Sequence, residues 1–150
     1  MQDFVHLHVH TYYSILDGQA SIPKLVDKAV GNGMRGMAIT DHGNMMGIKE
    51  FFNYCKGING KRKDKGEEPF KPIFGCEMYV VRNGRRLTDK DKSAGDSGGN
   101  HLVVLAKNER GYHNLIKLVS KAWVEGFYGR PRTDHVELEK HSEGLIVCSA

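Results

Sequence analysis

Cysteine and long apolar runs are both scarce in this sequence. The chain has three cysteines, Cys55, Cys76 and Cys148, irregularly spaced and without a CxxC pair. That excludes a disulfide framework and makes a reducing compartment the expectation. No stretch approaches the ~18 consecutive apolar residues needed to span a bilayer, and the opening MQDFVHLHVHTYYS lacks a basic segment followed by an apolar one. A cytoplasmic location without membrane partners is expected. Excess charge of one sign is also small: 22 Lys and Arg against 18 Asp and Glu leave a net +4, compatible with nucleic acid nearby but far below the charge density of a dedicated DNA-binding module. With 39% hydrophobic residues over 150 positions, one domain can bury one contiguous core.

The chain alternates strand-like and helix-like segments. Residues 4–10 alternate apolar and imidazole side chains, so a strand there places Phe4, His6, His8 and His10 on one face. Ser21 is a candidate cap for a helix through Leu25, Val26, Ala29 and Val30 that stops near Gly31-Asn32-Gly33. Residues 37–40 form a short buried strand ending in the polar tip Asp41-His42-Gly43, and residues 48–55 form a helix with Ile48, Phe51, Phe52 and Cys55 on one face. A solvated loop is expected over 57–69. Residues 71–81 make a third strand region, followed by a mobile excursion over 82–100. A fourth strand opens with His101, a helix spans 111–124 with a Leu115, Leu118, Val119 and Ala122 stripe, and 144–150 reads as a buried fifth strand. This alternation predicts an α/β fold with a parallel sheet, open or closed into a barrel. A strand running to the last residue makes a fragment of a longer domain the expectation.

Several polar residues fall where parallel α/β folds place their sites, around the carboxyl ends of strands. His8 and His10 share a strand face, Asp17 follows in the next loop, Asp41 and His42 occupy a strand tip, Glu77 interrupts an apolar run, and His101 opens a strand. Each alone is as compatible with a hydrogen-bonded structural residue or an ordinary turn as with a ligand. Together they form an inventory of imidazoles and carboxylates suited to zinc, manganese or iron. Glu77 is the most telling, because a carboxylate beside Phe74, Met78 and Val80 needs a partner.

The order HLHVHTYYSILDG, AITDHGNMMG, KPIFGCEMYV, HLVVLAKNERGYHNLIKLVSKAW and EGLIVCSA resembles the PHP (polymerase and histidinol phosphatase) domain that opens the alpha subunit of bacterial DNA polymerase III, essentially from end to end. The resemblance implies an incomplete distorted (β/α)7 barrel of PHP type with up to three divalent ions at its mouth. It assigns His8 and His10 with Glu77 to one ion, Glu77 with His101 to a second, and Asp17 with His42 to a third. Asp41 is expected to orient a neighbouring imidazole, His6 to be structural, and Cys148 to lie in the core. The family's remaining ligands belong to positions beyond residue 150. Implied partners are DNA, through a parent polymerase, and other replicase subunits. The implied activity of the intact domain is metal-dependent 3′–5′ exonuclease or phosphoesterase chemistry. The alternatives are a structural support or a small-molecule phosphatase such as one acting on histidinol phosphate. An uncovered sheet edge also raises the prospect of a homo-oligomer. Tyr12, Tyr13, Lys107 and Arg110 are assigned surface or packing roles rather than DNA contacts.

Overall fold

The computed structural model describes residues 4–82, 84–90 and 98–150. Helix α1 (Ile22–Gly31) begins with Pro23 in its first turn and buries Ile22, Val26 and Ala29, while Ser21 occupies the N-cap without a side-chain cap bond. Strand β1 (Gly36–Ile39) is wholly buried. Helix α2 (Ile48–Asp64) buries Ile48, Phe51 and Cys55, whereas Phe52 is exposed. Strand β2 (Lys71–Val80) is the central strand. Strand β3 (Asn100–Ala106) precedes α3 (Glu109–Val124), which is capped by Asn108 accepting from Gly111 N–H and buries the expected stripe. The short strands β4 (Phe127–Tyr128) and β5 (Arg130–Thr133), the single-turn helix α4 (His135–Lys140) and strand β6 (Leu145–Ser149) follow. Among the described residues no helix is long and apolar enough to cross a membrane.

The sheet is mixed and open, which corrects the expectation of parallel strands. Its order is β4-β5-β2-β3-β6, with β1 also on β2. β1 and β5 run parallel to β2, but β3 is antiparallel to β2 and β6 antiparallel to β3. The hydrophobic pattern specifies which face a strand buries and says nothing of its direction, so this reversal left no mark in the periodicity. Among the described residues the sheet does not close into a barrel. The predicted strand over residues 4–10 is instead an extended segment beside β1, held by one parallel bridge between His6 and Met37 and by Ala38 N–H to His6 O and Thr40 N–H to Val9 O, each 2.8 Å.

Three further expectations are corrected. The segment expected as a loop over 57–69 is helical as far as Asp64, through Gly57 and Gly60. Asn59 ties that helix to the start of β2, donating to Phe70 O and accepting from Phe70 N–H. Of the excursion over 82–100, residues 83 and 91–97 lie outside the described residues, but Leu87 is buried rather than loose. And β6 is not a buried strand: Ile146 and Val147 are exposed, with Cys148 only partly buried against Ala38, Val103 and Leu105.

The two faces of the sheet differ. Cys76, Met78 and Val104 pack under Leu115, Leu118 and Val119 of α3. Glu77 and Val103 oppose each other in the β2–β3 ladder and point to the other face. Helices α1 and α2 close a separate core with Met37, Ile39 and Phe70.

A buried polar network secures residues 85–90 and the chain after α3. Arg132, 1% exposed, donates through Nε to Gly126 O and through Nη2 to Leu87 O and Asp89 O. Asp134 is fully buried and accepts from Leu87 N–H, Glu137 N–H and Arg86 Nε, all within 2.9 Å. Burial alone raises its pKa, but these backbone donors and the Arg86 charge outweigh it and hold the carboxyl below its ordinary value. A carboxyl depressed by folding contributes stability above its unfolded pKa and loses it as pH falls through the folded value. Asp134→Asn keeps one acceptor but turns an NH2 toward at least one donor. It is expected to cost about 2 kcal/mol at pH 7 and to flatten the acid limb of stability against pH below about 4, both measured by urea denaturation. An unchanged acid limb would remove Asp134 from the acid response.

Candidate metal centre

Three backbone segments deliver four imidazoles to one buried carboxylate. Glu77 is 3% exposed at the carboxyl half of β2. Its Oε2 lies 3.1 Å from His8 Nε2, 2.9 Å from His10 Nε2 and 3.1 Å from His42 Nδ1, and its Oε1 lies 2.7 Å from His101 Nδ1. His8 and His10 come from the extended N-terminal segment, and His42 from the tip after β1, where it bridges to Glu77. His101 comes from the start of β3. In a parallel sheet a strand's first residue sits at the end away from the mouth. The antiparallel β2–β3 pairing sets His101 opposite Tyr79 and brings it to the carboxyl end of β2.

Asp17 joins through His42, whose Nε2 is 2.8 Å from Asp17 Oδ2. Three groups of possible ligand atoms therefore share members: His8, His10 and Glu77; His10, Asp17 and His42; and His42, Glu77 and His101. All six residues expected as ligands are brought together. The grouping is tighter than expected, since His10 and His42 each belong to two groups. His6 remains apart, its ring against Phe4.

Asp41 reaches an imidazole through Ser14 rather than directly. Its Oδ1 accepts from Thr11 N–H at 2.7 Å and from Ser14 Oγ–H at 3.0 Å, and its Oδ2 accepts from Thr11 Oγ–H at 2.8 Å. Asp41 acts on the cluster through Ser14. The Ser14 Oγ also accepts from His42 N–H at 3.0 Å and lies 2.7 Å from His10 Nδ1. A hydroxyl has one proton, and Asp41 takes it, so His10 Nδ1 must be the donor to Ser14. Thr40 adds a further clamp, its Oγ accepting from Val9 N–H. Thr11, Ser14, Thr40 and Asp41 are all buried. The hydroxyls were not singled out in the sequence, since Ser and Thr next to a glycine-containing turn carry no distinctive signal.

The tip itself needs a glycine. Gly43 has φ +60, and a Cβ there would meet Pro131 at 2.6 Å. Its carbonyl accepts from Trp123 Nε1–H at 2.7 Å, so α3 and β5 both fix the loop that carries His42.

This network leaves the cluster rich in lone pairs and poor in protons. His10 is held below its ordinary pKa, first by burial and then by the charge of His42, with Glu77 opposing. In the neutral ring with its proton on Nδ1, the His10 Nε2 lone pair faces both Glu77 Oε2 and His8 Nε2, the latter 3.1 Å away. His42 Nε2 donates to Asp17, so in the neutral ring Nδ1 is a second lone pair, buried without a hydrogen-bond partner, facing the same oxygen. Burial by itself raises the Glu77 pKa, but hydrogen bonds from His8 and His101 and the charge of His42 hold it below the usual value. While both rings are neutral, an ionised oxygen facing two lone pairs lacks the positive charge that would satisfy all three; protonation of His42 or a bound cation would each supply it.

The PHP domain family model matches residues 6–150. The chain belongs to the PHP domain family. Within it, the chain is similar to DNA polymerase III alpha subunits: it is 45% identical to that of Borreliella burgdorferi over 147 residues and 40% identical to that of Aquifex aeolicus over 153 residues. These alignments cover 98% and 99% of this chain but 12% of each relative. The chain thus spans about an eighth of the length of the curated relatives it matches. Among solved structures, a proposed metal-dependent phosphoesterase from Bifidobacterium adolescentis superimposes with a TM-score of 0.50 at 18% identity, over 81% of this chain and 34% of that one, a likeness of fold.

Ser14→Ala removes the hydroxyl that accepts from His10 Nδ1. The expected outcome is a mixture of Nδ1–H and Nε2–H forms in the 15N shifts of His10, where wild type shows Nδ1–H, with a loss of about 1–2 kcal/mol in stability. A pure Nδ1–H form in the variant would sink this account of the shell.

Proposed function

We propose that this domain binds divalent transition-metal ions through His8, His10, Asp17, His42, Glu77 and His101, and that within a DNA polymerase III alpha subunit it hydrolyses phosphodiesters at DNA 3′ ends. The observation that carries the reading is the convergence of four imidazoles on the buried Glu77 carboxylate, with His42 Nδ1 buried and lacking a hydrogen-bond partner, an arrangement that a divalent cation fits. Zinc, manganese and iron all suit this nitrogen and oxygen donor set. Bound ions would supply an acidified water and charge neutralisation at the phosphate.

The chain's own residues supply geometry. Glu77 shares its two oxygens between the His8–His10 side and the His101 side. Ser14, backed by Asp41, holds His10 with Nε2 toward the cluster, the outer hydrogen bond that ligating histidines ordinarily make. Asp17, more than half exposed, sits on the open side, where substrate and solvent enter. The polymerase reading adds DNA and the other replicase subunits as partners, supported by the 45% identity along almost the whole chain.

The test is elemental analysis of the purified chain beside Glu77→Gln, followed by digestion assays on 3′-labelled single-stranded DNA and a small phosphomonoester. Expected are at least one transition metal per wild-type chain, metal affinity at least about 100-fold weaker in the variant, and cleavage of DNA in preference to the ester. A wild-type chain that takes up no metal after reconstitution would reject the metal reading. Metal uptake without hydrolysis of either substrate would reject the activity and leave a structural role.

A further inference from the structure

Arg130 stands at the open side of the imidazole cluster, exposed and, among the described residues, without an acidic partner. Its guanidinium lies over the Tyr79 ring, 4.8 Å from the centroid, and its Nη1 is 3.4 Å from His101 Nε2. Among the described residues the arginines at 62, 86 and 110 pair with carboxylates, while no carboxylate lies within ion-pair distance of Arg130. A guanidinium only donates, so His101 Nε2 accepts from it, and the Nδ1–H of the same ring is turned to Glu77 Oε1. The cation is thus one imidazole removed from the central carboxylate.

Its position is well defined. Arg130 follows Gly129, φ +69, at the reversal from β4 to β5, and the next residue, Pro131, is buried against Gly43. Tyr79 beneath it is 7% exposed and stacked on His42 at 5.8 Å, with His101 edge-on at 4.9 Å. An arginine resting on an aromatic face keeps its edge N–H groups free for bidentate bonding to oxyanions, with less orientational freedom to lose.

We infer that Arg130 holds a non-bridging oxygen of the substrate phosphate at the His101 side of the cluster, with Tyr79 as its platform. The inference rests on the phosphoester reading above. Arg130 binds rather than transfers protons, so its loss raises KM more than it lowers kcat.

The test uses the full chain, with manganese and metal-free, as wild type, Arg130→Gln and Arg130→Lys. Inorganic phosphate affinity is measured by titration calorimetry, with metal content and melting temperature followed in the same samples. The expected result is phosphate binding weakened at least about 10-fold in Arg130→Gln and less in Arg130→Lys, with metal content unchanged. Equal affinity in wild type and Arg130→Gln overturns the inference, as does a wild type that binds no phosphate, and in either case normal manganese loading leaves the metal reading standing. A wild type that loads no manganese, yet binds phosphate in an Arg130-dependent way, supports the inference while overturning the metal reading. If Arg130→Gln loses metal or stability, Arg130→Lys decides: weakened phosphate binding with metal intact supports the inference, and wild-type affinity overturns it.

Discussion

A carboxylate buried within an apolar strand must find compensating charge or donors, and the requirements of Glu77 organise this domain. Its neighbours on β2, Cys76 and Met78, are committed to the core under α3. Strand alternation therefore turns Glu77 to the opposite face, and desolvation there is costly unless partners converge. Imidazoles meet it from the N-terminal segment, the tip after β1 and the start of β3. These contacts draw together segments remote in sequence. The parallel βαβ connection, the antiparallel return of β3 and the single bridge at His6 can each be seen as placing one set of ring nitrogens at the carboxyl end of β2.

Beneath the cluster lies a second layer that does the holding. Asp41, buried and accepting three hydrogen bonds from Thr11 and Ser14, ties the loop carrying Asp17 to the tip carrying His42. Hydrogen bonds to an ionised acceptor are among the stronger ones a fold makes, about 1.5–3 kcal/mol each. The loop is therefore fixed even though it contains Leu16 at φ +71, fully exposed. A leucine in the left-handed region costs on the order of 1 kcal/mol. That cost is small beside the Asp41 bonds, which accounts for a strained residue one position before a candidate ligand.

How much of this was legible in the sequence depended on what each signal encodes. The α3 stripe and the burial of Glu77 were readable, because periodicity and a lone charge in an apolar run report burial directly. Strand direction was not, so the mixed sheet and the reason His101 belongs to the site emerged only with the ladder of β2 and β3. The continuation of α2 through Gly57 and Gly60 was hidden by glycine and by the charges of residues 61–65, whereas the bonds of Asn59 to Phe70 that anchor it are tertiary. Strand β5 was missed for a similar reason. Arg-Pro-Arg-Thr carries no apolar alternation, yet Arg132 is buried because three backbone carbonyls converge on its guanidinium. The candidate ligands were recoverable through resemblance, but Ser14 and Arg130 were not, since a hydroxyl and a guanidinium gain meaning only from what they face.

The sharing of ligands between groups has a consequence for the proposed chemistry. Glu77, His10 and His42 each belong to two of the three potential ion sites. A cation at one position satisfies lone pairs that the neighbouring position would also use, and it fixes the orientation of a ring common to both. The first ion therefore orders ligands for the next while adding like charge close by, two effects of opposite sign. Neutral histidine, preset by Ser14 and by burial, lowers the proton release that loading requires. The open side, bounded by Asp17 and Arg130, then sets charges of opposite sign on its two flanks. An anionic substrate entering between them would be repelled on the Asp17 side and drawn to the His101 side. The cluster itself is lopsided, with three imidazoles at Glu77 Oε2 and one at Oε1, and the opposite charges flanking its approach would give a bound phosphate a preferred orientation.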